Sequence, residues 1–189
     1  MKTTLKHIAN IRTGIYAQTV SNGTIVYLQV KHFDENGHLY EKVKPDLPLD
    51  NQTEKHLLND GDIIFAAKGS KNFAAQYESK NGSCVASSTF LVIRLQDKFR
   101  SKILSEYLAW FLNHSRTQDW LKIKARGSSI PSISKTDLQD LEISVPSVEK
   151  QRRILIVDSL RKREQQLIKQ IQSFKEKCIQ KRLISAINR

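Results

Sequence analysis

From Pro146 to Ile187 the chain runs without a further glycine or proline. These are the two residues that most strongly interrupt an α-helix, so nothing stops a helix that starts just after Pro146. Ser147 can cap the free N–H groups of its first turn, and Glu149 suits the positive end of its dipole. At about 1.5 Å per residue, such a helix is on the order of 60 Å long. A domain built from the rest of this 189-residue chain cannot cover a helix of that length with its own core. The helix must find a partner helix or remain in water.

The apolar pattern chooses between these. Counted in heptads, Val157, Ile171 and Cys178 fall at one seam position, and Leu160, Leu167 and Phe174 fall at the other. Glu164 and Lys181 interrupt the seam, as polar residues that fix register do. Beyond Phe174 the stripe drifts to Ile179, Leu183 and Ile187, a spacing of four that resembles the stutter of a locally unwound coiled coil. One amphipathic helix packed on its own domain would carry a similar stripe. The length of the seam and the charge beside it favour helix pairing between chains, with those six residues as the dimerisation surface.

The boundary at Pro146 leaves residues 1–146 as one globular domain and 147–189 as the helix. The hydrophobic content of 39% is ordinary for a soluble protein. No run of about eighteen apolar residues exists, so no membrane span is expected, and the N-terminus lacks the apolar stretch of a signal peptide. Cys84 and Cys178 stand among apolar neighbours and read as core residues in a reducing cytoplasm, with a disulfide between them as the alternative. The net charge of +12 is uneven: residues 147–189 hold twelve Lys/Arg against four Asp/Glu, and residues 1–146 hold nineteen against fifteen. Such a balance points to a polyanion or an acidic partner subunit, although a solvated coiled-coil face is also often lysine-rich.

Along the first domain the punctuation is that of strands. Leu5, Ile8 and Ile11 precede a Gly14 turn. Residues 24–30 read as a strand, Asn36-Gly37 as a hairpin turn and 38–43 as the return strand. Pro45 and Pro48 mark a loop, and 51–58 a short helix. Asp60-Gly61 turns into a buried strand that ends at Lys68-Gly69, and 85–95 is a second apolar run. These short runs predict a curved, mostly β core. The period then changes to helical: one helix from Ser101 carrying Ile103 to Leu112, and another from Ser115 carrying Trp120, Leu121 and Ile123. Ser134 and Asp137 have capping-box spacing. A last strand, 141–145, precedes the long helix. The fold class is therefore α+β, a curved mostly β domain with short helices followed by a long coiled-coil helix.

No catalytic constellation stands out. No Cys-x-x-Cys or His-x-x-x-His pair exists, so no metal site is expected. His7, His32, His38, His56 and His114 are scattered. No Gly-x-Gly-x-x-Gly or Walker loop is present, so no nucleotide or methyl-donor cofactor is expected. The strand from Asp62 to Lys68 resembles that of a nuclease, but Ala66 stands where a restriction-type nuclease would hold Glu or Gln. A non-catalytic protein is expected.

Two clusters combine cations with small polar residues and glycine: Lys68-Gly69-Ser70-Lys71-Asn72, and Lys122-x-Lys124-x-Arg126-Gly127-Ser128-Ser129. Lys and Arg neutralise phosphates and reach guanine edges, while Asn and Ser read other base edges. Lys-Gly turns are also common surface structure. Together in a basic chain, the two clusters suit a double-stranded DNA-binding module.

Five features in order carry a family resemblance: Leu5-x-x-Ile8-Ala9-x-Ile11-x-x-Gly14; Leu58-x-x-Gly61-Asp62-Ile63-Ile64 with the Gly69 turn; the apolar strand to Arg94; Gly127-Ser128-Ser129-Ile130-Pro131-x-Ile133; and Leu138-x-x-Leu141-x-Ile143-x-Val145-Pro146-x-x-Glu149-x-Gln151-x-x-Ile154. The chain resembles the DNA specificity subunits of type I restriction–modification systems. The resemblance implies a target-recognition domain followed by an antiparallel pairing helix. Members usually carry two of each, so one of each implies a half-subunit completed by a second copy. A two-fold homodimer implies an interrupted palindromic target. The resemblance also implies that methyltransferase subunits dock along the paired helices, that a restriction endonuclease subunit is delivered to the site, and that the subunit does no chemistry itself. The basic helix face with Arg152, Arg153, Arg161, Lys162 and Arg163 serves that docking or DNA phosphates. A coiled-coil partner that pairs with another specificity subunit, altering or blocking it, remains the alternative.

Overall fold

The structure is a computed structural model that describes residues 2–34, 37–40, 43–69, 72–127 and 131–187. The chain divides into two compact units, Met1–Val148 and Glu149–Arg189.

The first unit opens with a short strand, β1 (Lys2–Thr4), and a one-turn helix, α1 (Leu5–Ile8), whose Leu5 and Ile8 are fully buried. β2 (Ala9–Thr13) turns Ala9 and Ile11 inward. Gly14, expected at a turn, instead carries the chain onward: its N–H donates to the Phe90 carbonyl at 3.0 Å and that of Ile15 to Ala86 at 2.9 Å. A Cβ at Gly14 would stand 2.2 Å from the Ser87 carbonyl oxygen, so this glycine permits a close approach of two backbones.

β3 (Val26–Leu28) is wholly buried. Among the described residues of the expected return strand 38–43, none pairs with it. β3 pairs in parallel with β6 (Cys84–Ala86) instead. The chain leaves β3 at Gln29 for a 3-10 turn, Val30–His32, in which Gln29 and His32 cap each other reciprocally. A Phe33–Leu39 bridge then closes a small loop around Gly37. Asn36, the other half of the expected turn, lies outside the described residues, as do Glu41 and Lys42. α2 (Asn51–Glu54) is capped by Asp50, which accepts from the N–H groups of Gln52 and Thr53. It is shorter than the expected 51–58, because Leu57 bridges Val85 and the Leu58 N–H donates to Cys84.

β4 (Ile63–Ala66), β5 (Ala74–Gln76) and β7 (Phe90–Leu95) join β2 in an antiparallel sheet of order β2-β7-β4-β5. The apolar run 85–95 is thus shared between two sheets, β6 and β7. Phe33, Phe73 and Phe90 pack as a triad with ring centroids 5.5–6.1 Å apart, the tilted and edge-on arrangement that aromatic quadrupoles favour. β5 would leave a bare edge. The Asn113 side-chain amide covers it, accepting from the Ala74 N–H and donating to the Ala74 carbonyl, both at 2.7 Å.

Asn113 ends α4 (Ser105–Asn113). The helix expected from Ser101 begins at Ser105, because Asp97–Arg100 forms its own turn, α3, with Ser101 as its C-cap. α5 (Ser115–Lys124) begins where expected, capped by His114. α6 (Lys135–Gln139) is capped by Ser134, which accepts from the Asp137 N–H at 3.0 Å. β8 (Glu142–Ser144) then pairs antiparallel with β1. The class is α+β, with its strands divided among three small sheets.

The second unit is a single helix, α7 (Val148–Ile187), as the absence of glycine and proline predicts. Arg153 pairs with Glu149 one turn earlier, and Asp158 accepts from Lys162 at 2.8 Å and Arg161 at 3.3 Å. No helix among the described residues is long and apolar enough to cross a membrane.

Candidate nucleic-acid interface

The two basic clusters lie far apart in sequence and meet in space. β4 runs out of the sheet through Ala67 to Lys68, and α5 ends at Lys124 ahead of Arg126. The segment 131–133 passes between them. Its Ser132 forms an antiparallel bridge to Lys68 on one side and to Arg126 on the other. The Gly69 N–H donates to Pro131 at 2.9 Å, Ile133 N–H to Ala67 at 2.8 Å, and Arg126 and Ser132 exchange bonds of 3.0 and 2.8 Å. A narrow three-stranded ladder results, in the order 126, 132, 68. With neighbouring strands about 4.8 Å apart, the Lys68 and Arg126 backbones stand roughly 10 Å from each other.

Gly69 makes the exit of this ladder possible. Its φ of +111° is strained for any L side chain, and open space surrounds the position where a Cβ would be. Asn72 is half-buried and donates its side-chain amide to the Ala66 carbonyl at 2.8 Å, so it closes the loop from within. Ser70 and Lys71 of the first cluster, and Ser128 and Ser129 of the second, lie outside the described residues.

Lys68, Lys122, Lys124 and Arg126 are all exposed. Lys122 lies 3.9 Å from Asp119, and Lys124 Nζ sits 5.5 Å from the centre of the Trp120 ring, a cation–π distance. Among the described residues, no carboxylate pairs with Lys68, Lys124 or Arg126. These cations keep their charge toward solvent and can exchange water for an anion at little cost. Of the three apolar residues expected to anchor α5, Leu121 is fully buried and Trp120 half-buried, but Ile123 is 82% exposed. Leu121 shares the inner face with Thr117 one turn before it, and Ile123 falls on the other side of the helix.

At the other end of β4 from the ladder, Asp62 anchors the start of the strand. Its carboxylate accepts from Arg94 Nε at 2.8 Å and from a terminal guanidinium nitrogen at 2.6 Å, and from the Asn59 N–H at 2.8 Å. That hydrogen bond raises the Arg94 pKa above its ordinary value. Arg12 donates to the carbonyls of Lys55, His56 and Leu57, and burial, followed by the Arg94 charge, lowers its pKa. Asp62 is therefore a buried structural anion as well as a turn residue. No group of three or more His, Cys, Asp or Glu side chains that could hold a metal occurs among the described residues.

A family model for the type I restriction modification DNA specificity domain matches residues 1–173. The chain belongs to that family. Its fold is similar to three solved structures. The S subunit of a type I restriction-modification system from M. genitalium gives a TM-score of 0.59 at 16% identity, covering 85% of this chain and 38% of that one. A chain from a study of complex assembly and conformational transition of the type I R-M system gives 0.61 at 17% identity, covering 88% and 39%. The HsdS subunit from Thermoanaerobacter tengcongensis gives 0.57 at 17% identity, covering 86% and 37%. This specificity-domain chain thus spans less than two-fifths of the length of each. No curated protein matches it.

On the helix of this specificity domain, the seam residues are open. Val157, Leu160 and Phe174 are each 64% exposed, and Leu167 and Ile171 are 42% and 53% exposed. Cys178, expected to be a core residue, is exposed and free, and Cys84 is buried and free, so the alternative disulfide is absent too. Burial pushes the Cys84 thiol up to about 11. The stripe is broader than the heptad count shows, because Ile156, Ile168 and Ile184 are also exposed.

Proposed function

We propose that this chain is a non-catalytic, sequence-specific DNA-recognition subunit of a type I restriction–modification system, acting in the cytoplasm. Residues 1–146 form the target-recognition domain and 147–189 the pairing helix. The observation that carries the reading is the ladder that brings Lys68 and Arg126 to either side of Ser132, next to Lys122 and Lys124. Five positions of the first cluster (Lys68, Gly69, Ser70, Lys71 and Asn72) and five of the second (Lys122, Lys124, Arg126, Ser128 and Ser129) make up the DNA-binding surface. The cations hold phosphates and the serines face base edges, while Asn72 supports the first cluster through its bond to the Ala66 carbonyl.

Two copies pair through Val157, Leu160, Leu167, Ile171, Phe174 and Cys178. The exposed seam supports this, because apolar side chains at heptad spacing on a helix that lies in water are the surface of a coiled coil. In an antiparallel pair, the recognition domains stand at opposite ends and read two identical half-sites in inverted orientation. Methyltransferase subunits dock along the helices, and the assembly brings the endonuclease subunit to the same site.

Duplex binding measured across a salt series tests the interface. Binding falls steeply with salt, and Lys68→Ala with Arg126→Ala lowers the log–log slope by about one for each phosphate contact removed. An unchanged slope removes the ladder from the interface.

A further inference from the structure

Among the described residues of the first unit, Ile123 is the most exposed large apolar side chain, at 82%. One exposed isoleucine on a protein surface is ordinary. Its surroundings here are not. Lys122 and Lys124 flank it, and Trp120 lies one turn before it with Lys124 over the ring. Three residues further on, Arg126 enters the ladder that leads to Lys68. Asp119, one turn before Ile123, lies 3.9 Å from Lys122, so the surroundings are mixed with an excess of cations. An apolar group there meets water unless the partner is an anion that also carries apolar groups.

Duplex DNA is such a partner. Its major groove is flanked by phosphates, admits an α-helix and displays the 5-methyl group of thymine. The C-terminal end of a helix carries negative partial charge, so the backbone at the end of α5 gains nothing from a phosphate, and the lysines must make those contacts. Ile123 is also β-branched and therefore stiff at χ1, so it presents a fixed methyl surface rather than a long probe.

Resting on the DNA reading above, we infer that Ile123 is a specificity-determining residue that reads the 5-methyl group of a thymine in the major groove. The selectivity it adds is that of about one buried methyl group, close to fourfold in affinity. Because the side chain is exposed, replacing it leaves the core intact.

The test begins with selection of a duplex from a random pool by the full chain. Each thymine of the selected site is then replaced in turn by deoxyuridine, which pairs alike and lacks only the methyl group. The expected result is a loss of about fourfold at one thymine per recognition domain for the wild-type chain. Ile123→Ser binds the thymine and uracil duplexes equally, at the wild-type affinity for uracil. Duplex binding without any thymine–uracil difference, or a difference that survives in Ile123→Ser, overturns the assignment and leaves the DNA reading standing. So does an Ile123→Ser chain that reads the methyl group as before but fails to hold a methyltransferase subunit. A chain that selects no duplex at all overturns both.

Discussion

Asp62 is 1% exposed, and it holds the start of β4, at the opposite end of the strand from the ladder. Three donors converge on its carboxylate: two from Arg94 and the Asn59 N–H. Arg94 also donates to the Leu57 carbonyl, a group Arg12 shares. A buried pair of this kind adds little relative to an apolar pair, but removal of one partner leaves the other uncompensated. Asp62→Asn keeps the volume and removes the charge. It is expected to destabilise the fold by about 3 kcal/mol, the low end for a broken buried pair, since Arg94 keeps some contact with water. Urea denaturation reads this as a lower midpoint at constant slope. A midpoint within error of wild type would mean that Asp62 does no more than shape the turn. Both residues stood in the sequence motifs, Gly61-Asp62-Ile63-Ile64 and the strand to Arg94, but nothing in one dimension says that one grips the other.

At the scale of elements, α7 is the test case. An aspartate in the middle of the seam would be buried against apolar side chains on pairing and stay hydrated in a lone helix. Leu167→Asp or Ile171→Asp is therefore expected to halve the molar mass by light scattering while the first unit keeps its fold, as near-UV circular dichroism reports. A folded double-mass mutant would exclude the seam. The helix was legible because its cause is local: no glycine, no proline and a periodic stripe. The Ser134 cap and the start of α5 were legible for the same reason. The pairing of β3 was not. Residues 24–30 and Asn36-Gly37 present a hairpin signal, but Val26 to Leu28 are buried on both faces and find Cys84–Ala86 through contacts distant in sequence. The candidate interface shows the same division. Its cations and glycines could be picked out one cluster at a time, while the bridge at Ser132 that unites them could not, since it depends on where the chain returns after α5.

For the whole molecule, the proposed pairing of two helices would turn a short recognition surface into a bipartite one. A mass near twice 21.7 kDa across a dilution series is expected, together with selected DNA sites made of two inverted identical halves around an unread spacer. A stable monomer, or a site with a single half, would mean that the helix waits for a different chain. Among the described residues, the bonds that fasten the ladder are main-chain ones: Gly69 to Pro131, Ile133 to Ala67, Arg126 to Ser132 and back. The side chains at 68, 126 and 132 contribute none of those bonds. They can be exchanged without loosening the frame that presents them. If the ladder reads DNA as proposed, selection on what is read would be separated from selection on folding, and the surface could acquire a new target by a handful of substitutions while its scaffold stays as it is.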